Sequence, residues 1–533
     1  MTKAQVPTEI GSQGISTVAA KHEPPAGRHT LLRSSPAFLI LAVAVAASDN
    51  FADPDLWMHI MVGREIVRTG HIPLQNAYSY SGPGQPWHNH VWLAQAILAL
   101  SYDTLGVVGL KILKLLCLTI AMGALAAGLS RTKASLTIQR VVLLAAAAAT
   151  APYAQFRPQV FTIALLSIVM AVLAGQVYDG RARLWPLIPM FALWANLHGG
   201  FVVGLGALGI TAAVVGFQEI RTERRLWQAL RVSTLTAACA GATVLNPFGP
   251  GLWTTVLHSV SDPLIRQFVV DWISLPRMIA YVWSQSPLKA AQFVVPVGLF
   301  IALPLSLVAA PETEDASLAG TALLFIAAAV YSSRNVPCAV IALSIPLAQH
   351  LSLAFEQFPA EIVRPDARWR IRDMVFPLAA ALAVGACGGL LSSRLKTWEP
   401  VPSGAVAYMK RQRLHGNILS QLSWGGYLVW HGTPEDKIFV DGRWEVVYPD
   451  AVLRAYLAFR YQWPGAEAFL DRYPHDFVLV SANTRAYQSV AAHPRWKLIY
   501  KDRTAALFAR ASSPIARGAV SQADADATPS CFP

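Results

Sequence analysis

Charged side chains are scarce in this sequence. Asp, Glu, Lys and Arg make up 14% of its 533 residues, against about 25% in soluble domains. That shortage excludes an ordinary soluble protein over most of the length. It is also uneven: between Phe38 and Leu391 the charges sit in short clusters between apolar runs, whereas after Arg394 the composition is that of a soluble domain. Cysteine is scarce too. Cys117, Cys239, Cys338, Cys387 and Cys531 include no pair at metal-ligand spacing, which speaks against a zinc module. The first four lie in or beside apolar runs and are expected to be small buried hydrophobes. With no cysteine between 396 and 510, no disulfide is expected there. The first apolar run ends at Asp49 without a small-residue cleavage site, so it reads as an anchor and not as a removable signal.

What is present is apolar length. Hydrophobic residues make up 54% of the chain, and the mean hydropathy is +0.41. A spanning helix needs about 20 apolar residues. Candidate spans are 35–49, 91–105, 107–129, 138–154, 158–178, 184–197, 200–218, 232–247, 291–310, 317–332, 336–354 and 374–393. The fold class expected is an α-helical polytopic membrane bundle of about 11 or 12 spans with a small C-terminal α/β soluble domain. Its parts are a disordered cytoplasmic tail (1–34), the transmembrane domain (35–395) with an outer loop at 50–90, the soluble domain (396–510) and a disordered tail (511–533). Within the soluble domain, strands are expected at 417–421, 437–441 and 477–480 and helices at 450–460 and 467–473. Residues 426–430 read as helix or strand, and a hairpin is expected over 496–501 and 505–510.

The net charge is +12. The basic residues cluster at the ends of apolar runs, which is how membrane helices are oriented, and do not form a stripe, so a nucleic-acid partner is excluded. Arg131, Lys133 and Arg140, then Arg181 and Arg183, then Arg221, Arg224, Arg225 and Arg231, then Arg364, Arg368, Arg370 and Arg372 mark cytoplasmic gaps. The scheme puts the N-terminus in the cytoplasm and the C-terminal domain outside. It requires one net crossing between 91 and 129, so 91–105 is expected to lie along the membrane or re-enter it.

The outward gaps hold the chemistry. Asp53-Pro54-Asp55 precedes an amphipathic helix over 55–68, expected at the membrane surface, and Trp57 and His59 follow the pair. Two carboxylates so spaced can share a divalent cation, one can act as a general base, or either can simply cap the helix. His88, His90 and Trp92 form an aromatic, polar rim; a metal site at the two histidines lacks a third ligand nearby. Arg157, followed by Pro158 and Gln159, is either a snorkelling arginine or a phosphate clamp. Asn196 and His198 precede Gly199 and Gly200, and Asn196 can equally serve helix-to-helix hydrogen bonding. The loop carrying Asp262, Arg266, Asp271 and Trp272, and the segment around Arg334, read as interfacial loops. Asp441 with Arg443 reads as a salt-bridged turn.

The order of these motifs resembles the GT-C superfamily of membrane glycosyltransferases, in a bacterial branch similar to the protein-mannosyltransferase-type enzymes. The resemblance rests on Asp53-Pro-Asp-Leu-Trp57, Trp87 to Trp92, Phe156-Arg-Pro-Gln159, Trp194 to Gly200, Leu245-Asn-Pro-Phe-Gly249 and Arg334-Asn335, and covers most of 35–395. It implies a bacterial inner-membrane enzyme that takes a sugar from a polyprenyl-phosphate donor at the outer face and passes it, with inversion, to a glycan, lipid or protein acceptor. It implies a general base at Asp53, with Asp55 as the alternative, and a donor phosphate held by Arg157 and Arg334. Trp57, His59, His88, His90, Gln159, Asn196 and His198 are the remaining candidates for substrate contacts, with His90 or His198 orienting a substrate. A divalent cation (Mg or Mn) at Asp53 and Asp55 is permitted and not required. A non-catalytic envelope scaffold is the main competing expectation. A transporter ranks lower, because no ionisable residue is expected deep in a span and no internal repeat is visible.

Overall fold

The computed structural model describes residues 36–180, 182–222, 226–311, 314–356, 385–518, 520–522 and 531–533. The expected N-terminal tail and the basic segment 364–372 lie outside these residues. Helix α1 (Pro36–Ala46) leads to strand β1 (Phe51–Ala52) and helix α2 (Leu56–Thr69). There follow α3 (Trp92–Leu129), α4 (Leu136–Thr150), α5 (Gln159–Asp179), α6 (Leu187–Leu197), α7 (Phe201–Arg221) and α8 (Trp227–Ala242). A segment of short helices, α9 (Gly251–Ser261), α10 (Pro263–Phe268) and α11 (Leu275–Gln285), separates them from α12 (Val294–Ala309), α13 (Ala316–Tyr331) and α14 (Val336–Glu356). Six helical stretches among the described residues are long and apolar enough to cross a membrane. Helices such as α1 and α6 fill expected spans but have only 11 residues each, about 16 Å of rise.

Helix α14 is the axis of the bundle, with every residue from Val336 to His350 buried. At its far end His350 Nε2 meets Asp315 Oδ1 at 3.0 Å and Tyr178 donates to Asp315 Oδ2 at 2.8 Å. Lys111 and Lys114 are also buried inside helix α3, so ionisable residues do lie deep in apolar segments, contrary to expectation. They are tolerated because backbone carbonyls receive them: Lys111 donates to Leu390 O at 2.8 Å and to Ser393 O, and Lys114 donates to Asp49 O. Buried ammonium groups need such partners.

Helix α3 is broken at Gly106 (φ 60°, ψ −144°). Only glycine takes that conformation readily, and the chain folds back so closely that a Cβ on Gly109 would lie 1.9 Å from Ser101 O. Residues 92–105 therefore form a separate arm, and this is where the topology had required one crossing instead of two. Helix α2 packs on that arm; a Cβ on Gly63 would stand 2.0 Å from Gln95 O. Its apolar side, with Leu56, Trp57, Met58 and Ile60, is buried between the arm and the C-terminal domain, where it had been expected on the membrane surface.

Past a short helix at 385–392, β2 (Lys396–Thr397) pairs with β1. The C-terminal domain carries α15 (Ser403–Gln412), β3 (Asn417–Ser420), α16 (Gly425–His431), β4 (Lys437–Ile438), α17 (Asp450–Tyr461), β5 (Phe477–Ser481), α18 (Arg485–Ala492), β6 (Trp496–Lys501), β7 (Ala505–Arg510) and β8 (Ser521–Gln522). Its sheet has the order β4-β3-β5-β7-β6-β8, parallel through β4, β3 and β5 and antiparallel across β5, β7 and β6. The polytopic bundle with a C-terminal mixed-sheet domain is the architecture expected from the sequence, including the 496–510 hairpin. The ambiguous stretch 426–430 is helical, within α16. Within the tail expected to be disordered, Phe532 is buried, its ring 5.2 Å from Trp57 and 5.6 Å from Tyr102.

The outer loop is fastened to this sheet. Ile438 N–H donates to Tyr78 O and Tyr80 N–H donates to Ile438 O, both at 3.1 Å. A Cβ on Gly426 would lie 2.9 Å from Pro54 O, so α16 presses on the Asp53-Pro54-Asp55 turn. Arg131, Lys133 and Arg231 lie at the opposite end of the bundle: Arg131 pairs with Asp179 at the last residue of α5, whose 21 residues rise roughly 30 Å from Arg157.

Candidate active site

The turn that starts α2 sorts its two carboxylates. Asp53 Oδ1 accepts the Asp55 N–H at 2.9 Å and Asp53 O accepts the Leu56 N–H at 3.0 Å. Asp55 stands at the N-cap position but makes no side-chain cap hydrogen bond. The helix start therefore uses one oxygen of Asp53 and leaves the Asp55 carboxylate for other work.

That work centres on Arg157, placed just before α5 between buried Phe156 and Pro158. Its Nε meets Asp53 Oδ2 at 2.5 Å, Nη2 meets Asp55 Oδ2 at 3.4 Å, and Nη1 meets Asp271 Oδ2 at 2.5 Å. Asp271 lies in a short turn, Val270–Trp272, held by Ser333, whose Oγ donates to Asp271 O at 3.0 Å and whose N–H donates to Ile273 O at 2.9 Å. Arg334 lies over the Trp272 ring, 4.9 Å from its centroid. The Val270–Trp272 turn and the head of α14 are thus one unit.

These groups open into a cavity of ≈ 300 Å³. From the bundle it is lined by Asp55, His59, His90, Arg157, Gln159, His198, Asp271 and Arg334, and from the C-terminal domain by Ser423, Gly426, Gly442, Arg443 and Trp444. Four candidates fall outside the lining. Asp53 is buried behind Arg157. Trp57 is core, edge-on to Tyr427 at 5.5 Å. Asn196 accepts from Trp92 Nε1 at 3.0 Å and donates to Leu245 O at 2.9 Å, which is the helix-to-helix bonding weighed above. His88 is exposed, 2.9 Å from Thr255. In the sequence Asp271 reads only as a loop residue beside Trp272, and Trp444 only as the end of the Asp441-Gly442-Arg443-Trp444 turn.

Burial sets the protonation states. It pushes the Asp53 carboxyl up to about 6 against the pull of Arg157, and it raises Asp55, again against Arg157 and with the repulsion of Asp441 and Asp271. Asp271 goes the other way: burial pushes it up, but Arg157 and Arg334 together outweigh that and hold it below the usual carboxylate value. Burial pulls His59 and His90 down to about 4, with Arg334 adding to the effect at His90. His198 is pulled down too, first by burial and then by Arg334. The three histidines are neutral at pH 7 and act as hydrogen-bonding groups. His59 Nδ1 faces Gln95 Nε2 at 3.2 Å and His198 Nδ1 accepts from Gly200 N–H at 3.0 Å, so in both rings the proton is on Nε2.

The residues do not fit a divalent cation in this arrangement. Arg157 stands between the two carboxylates that would share the ion, and among the described residues no three His, Cys, Asp or Glu side chains are placed to hold a metal ion.

No family model matches the chain, and no curated protein matches it. Among solved structures, it is similar to ArnT from Cupriavidus metallidurans bound to undecaprenyl phosphate, at 13% identity and a TM-score of 0.46, over 93% of this chain and 100% of that one. It is also similar to the arabinofuranosyltransferase AftD from Mycobacteria, at 14% identity and a TM-score of 0.45, over 91% of this chain and 40% of that one. The chain therefore spans less than half the length of AftD.

Proposed function

We propose that the cavity is the reaction centre of a bacterial GT-C-type glycosyltransferase. In this reading it moves a sugar from a polyprenyl-phosphate donor to an acceptor at the outer face of the inner membrane, with inversion of the anomeric carbon. The observation that carries the reading is the Asp55 carboxylate. It is free of its capping duty, faces the cavity, and stands next to a guanidinium that three aspartates hold in place.

A single displacement needs one group to take a proton and others to receive negative charge. Asp55 takes the proton of the acceptor hydroxyl. The oxygen's electron pair forms the bond to the anomeric carbon, and the carbon–oxygen bond to phosphate breaks with its pair left on the phosphate. Arg157 and Arg334 receive that charge. One displacement inverts the centre. Asp53 is a positioning residue, since it fixes the turn with one oxygen and Arg157 with the other. The basic residues at the far end of the bundle support a cytoplasmic position for that end, and with it an outward-facing cavity and C-terminal domain.

The test is turnover of polyprenyl-phosphate sugars by purified protein carrying Asp55→Asn or Asp53→Asn. Asp55→Asn is expected to lower turnover by about a hundredfold or more while donor binding persists. Full turnover by Asp55→Asn would remove Asp55 as the base, and no turnover by the wild type would favour the scaffold reading.

A further inference from the structure

The C-terminal domain reaches into the cavity with the loop Asp441–Trp444, and this loop carries polar groups that nothing in the mechanism uses. Arg443 is clamped by Asp441: Nε lies 2.9 Å from Oδ1 and Nη2 lies 2.5 Å from Oδ2. The rings of Trp87 and Tyr78 cover the guanidinium at 4.8 and 5.1 Å. Its side chain is 7% exposed, yet Nη1 has no hydrogen-bond partner among the described residues. The next residue repeats the pattern. Trp444 is 5% exposed, and its Nε1 also lacks a partner among them. Its backbone sits at φ 33°, a conformation that a bulky side chain takes only when its surroundings impose it. Across the cavity, buried Asn89 Oδ1, an acceptor, and His90 Nδ1, whose sense depends on the tautomer, also lack a partner among the described residues.

Buried polar groups are almost always satisfied, so a cluster of exceptions around one cavity marks a ligand. The signs identify its chemistry. Two donors, one acceptor and a ring nitrogen of either sense suit hydroxyl groups, which both accept and donate, whereas a phosphate or carboxylate only accepts. Asp441 already neutralises Arg443, and Asp55 lies beside the loop, where a Cβ on Gly442 would stand 1.8 Å from its Oδ1. A further anion would meet two carboxylates there. We propose that the Asp441–Trp444 loop is the acceptor subsite and that it takes an uncharged, hydroxyl-bearing saccharide ring, holding one hydroxyl next to Asp55. This rests on the glycosyl-transfer reading of the cavity.

The test uses the full chain in lipid nanodiscs, free of glycoside detergents. Saturation-transfer NMR reads binding of the methyl pyranosides of glucose, galactose, mannose and N-acetylglucosamine, with methyl glucuronide as the acidic comparison. Undecaprenyl phosphate binding is measured in parallel. At least one neutral pyranoside is expected to bind. Trp444→Phe, which keeps the ring and removes the donor, is expected to weaken it about fivefold to tenfold and to spare the lipid. Preference for the glucuronide, no pyranoside binding, an unchanged affinity in Trp444→Phe, or parallel loss of lipid and sugar would each overturn the proposal. Trp444-dependent pyranoside binding without any lipid binding would support the subsite and remove the polyprenyl-phosphate donor.

Discussion

Replacing Asp271 with Asn is expected to tighten binding of undecaprenyl phosphate. The Asp271 carboxylate lies 2.5 Å from Arg157 Nη1, on the guanidinium edge that an incoming phosphate would take. It is ionised throughout the working range, because Arg157 and Arg334 outweigh burial and hold it below the usual value. To bind, the phosphate has to push this charge aside. Two unit charges about 5 Å apart at an effective dielectric of about 20 repel by roughly 3 kcal/mol. The Asp271 side chain is 40% exposed, so solvent screening reduces the effect to about 1 kcal/mol, or roughly fivefold in Kd. The assay is a lipid titration of purified protein in nanodiscs at pH 7.5, wild type beside Asp271→Asn, at two salt concentrations. The gain is expected to shrink at high salt. Weaker binding by Asp271→Asn would refute the reasoning and make the carboxylate a support that holds Arg157 in shape.

Three other outcomes follow from the same geometry. Transfer depends on ionised Asp55 beside Asp53. Burial raises Asp55 above the ordinary carboxylate range, so the acid limb of a pH–rate profile is expected above the limb of a free carboxylate, with activity lost as pH falls. Gly442→Ala is expected to cost about a hundredfold in turnover with the fold intact by circular dichroism: the new Cβ would sit 1.8 Å from Asp55 Oδ1, and a carboxylate displaced by about 1 Å loses that much. Phe532→Ala is expected to destabilise the protein by about 3 kcal/mol, seen as a lower thermal midpoint, because its ring fills the space between Trp57, Tyr102 and Trp430.

The parts of the site visible in the sequence were those with short-range signals. Asp53 and Asp55 are two residues apart at a helix start, and Arg157 and Arg334 stand at the ends of apolar runs. The expected division between 91–105 and 107–129 falls at Gly106, where α3 is broken. What brings Asp271 to Arg157 is a contact across 114 residues, and the Asp441–Trp444 loop reaches Asp55 from the other domain; neither leaves a local pattern. The aromatic and amide residues read as a substrate rim were ambiguous for a physical reason. Trp57 and Asn196 offer the same groups to a helix neighbour as to a sugar, and packing claimed them. Lys111 and Lys114 carry no local signal inside an apolar run, because the carbonyls that receive them belong to Asp49, Leu390 and Ser393, distant in the chain.

The most direct test is a titration of the wild-type protein, Arg157→Ala and Arg334→Ala with a polyprenyl-phosphate sugar, each variant first shown to be folded and monodisperse. The account predicts binding by wild type and a loss of at least tenfold in both arginine variants. Undiminished binding in both, or no binding by the wild type, would contradict it.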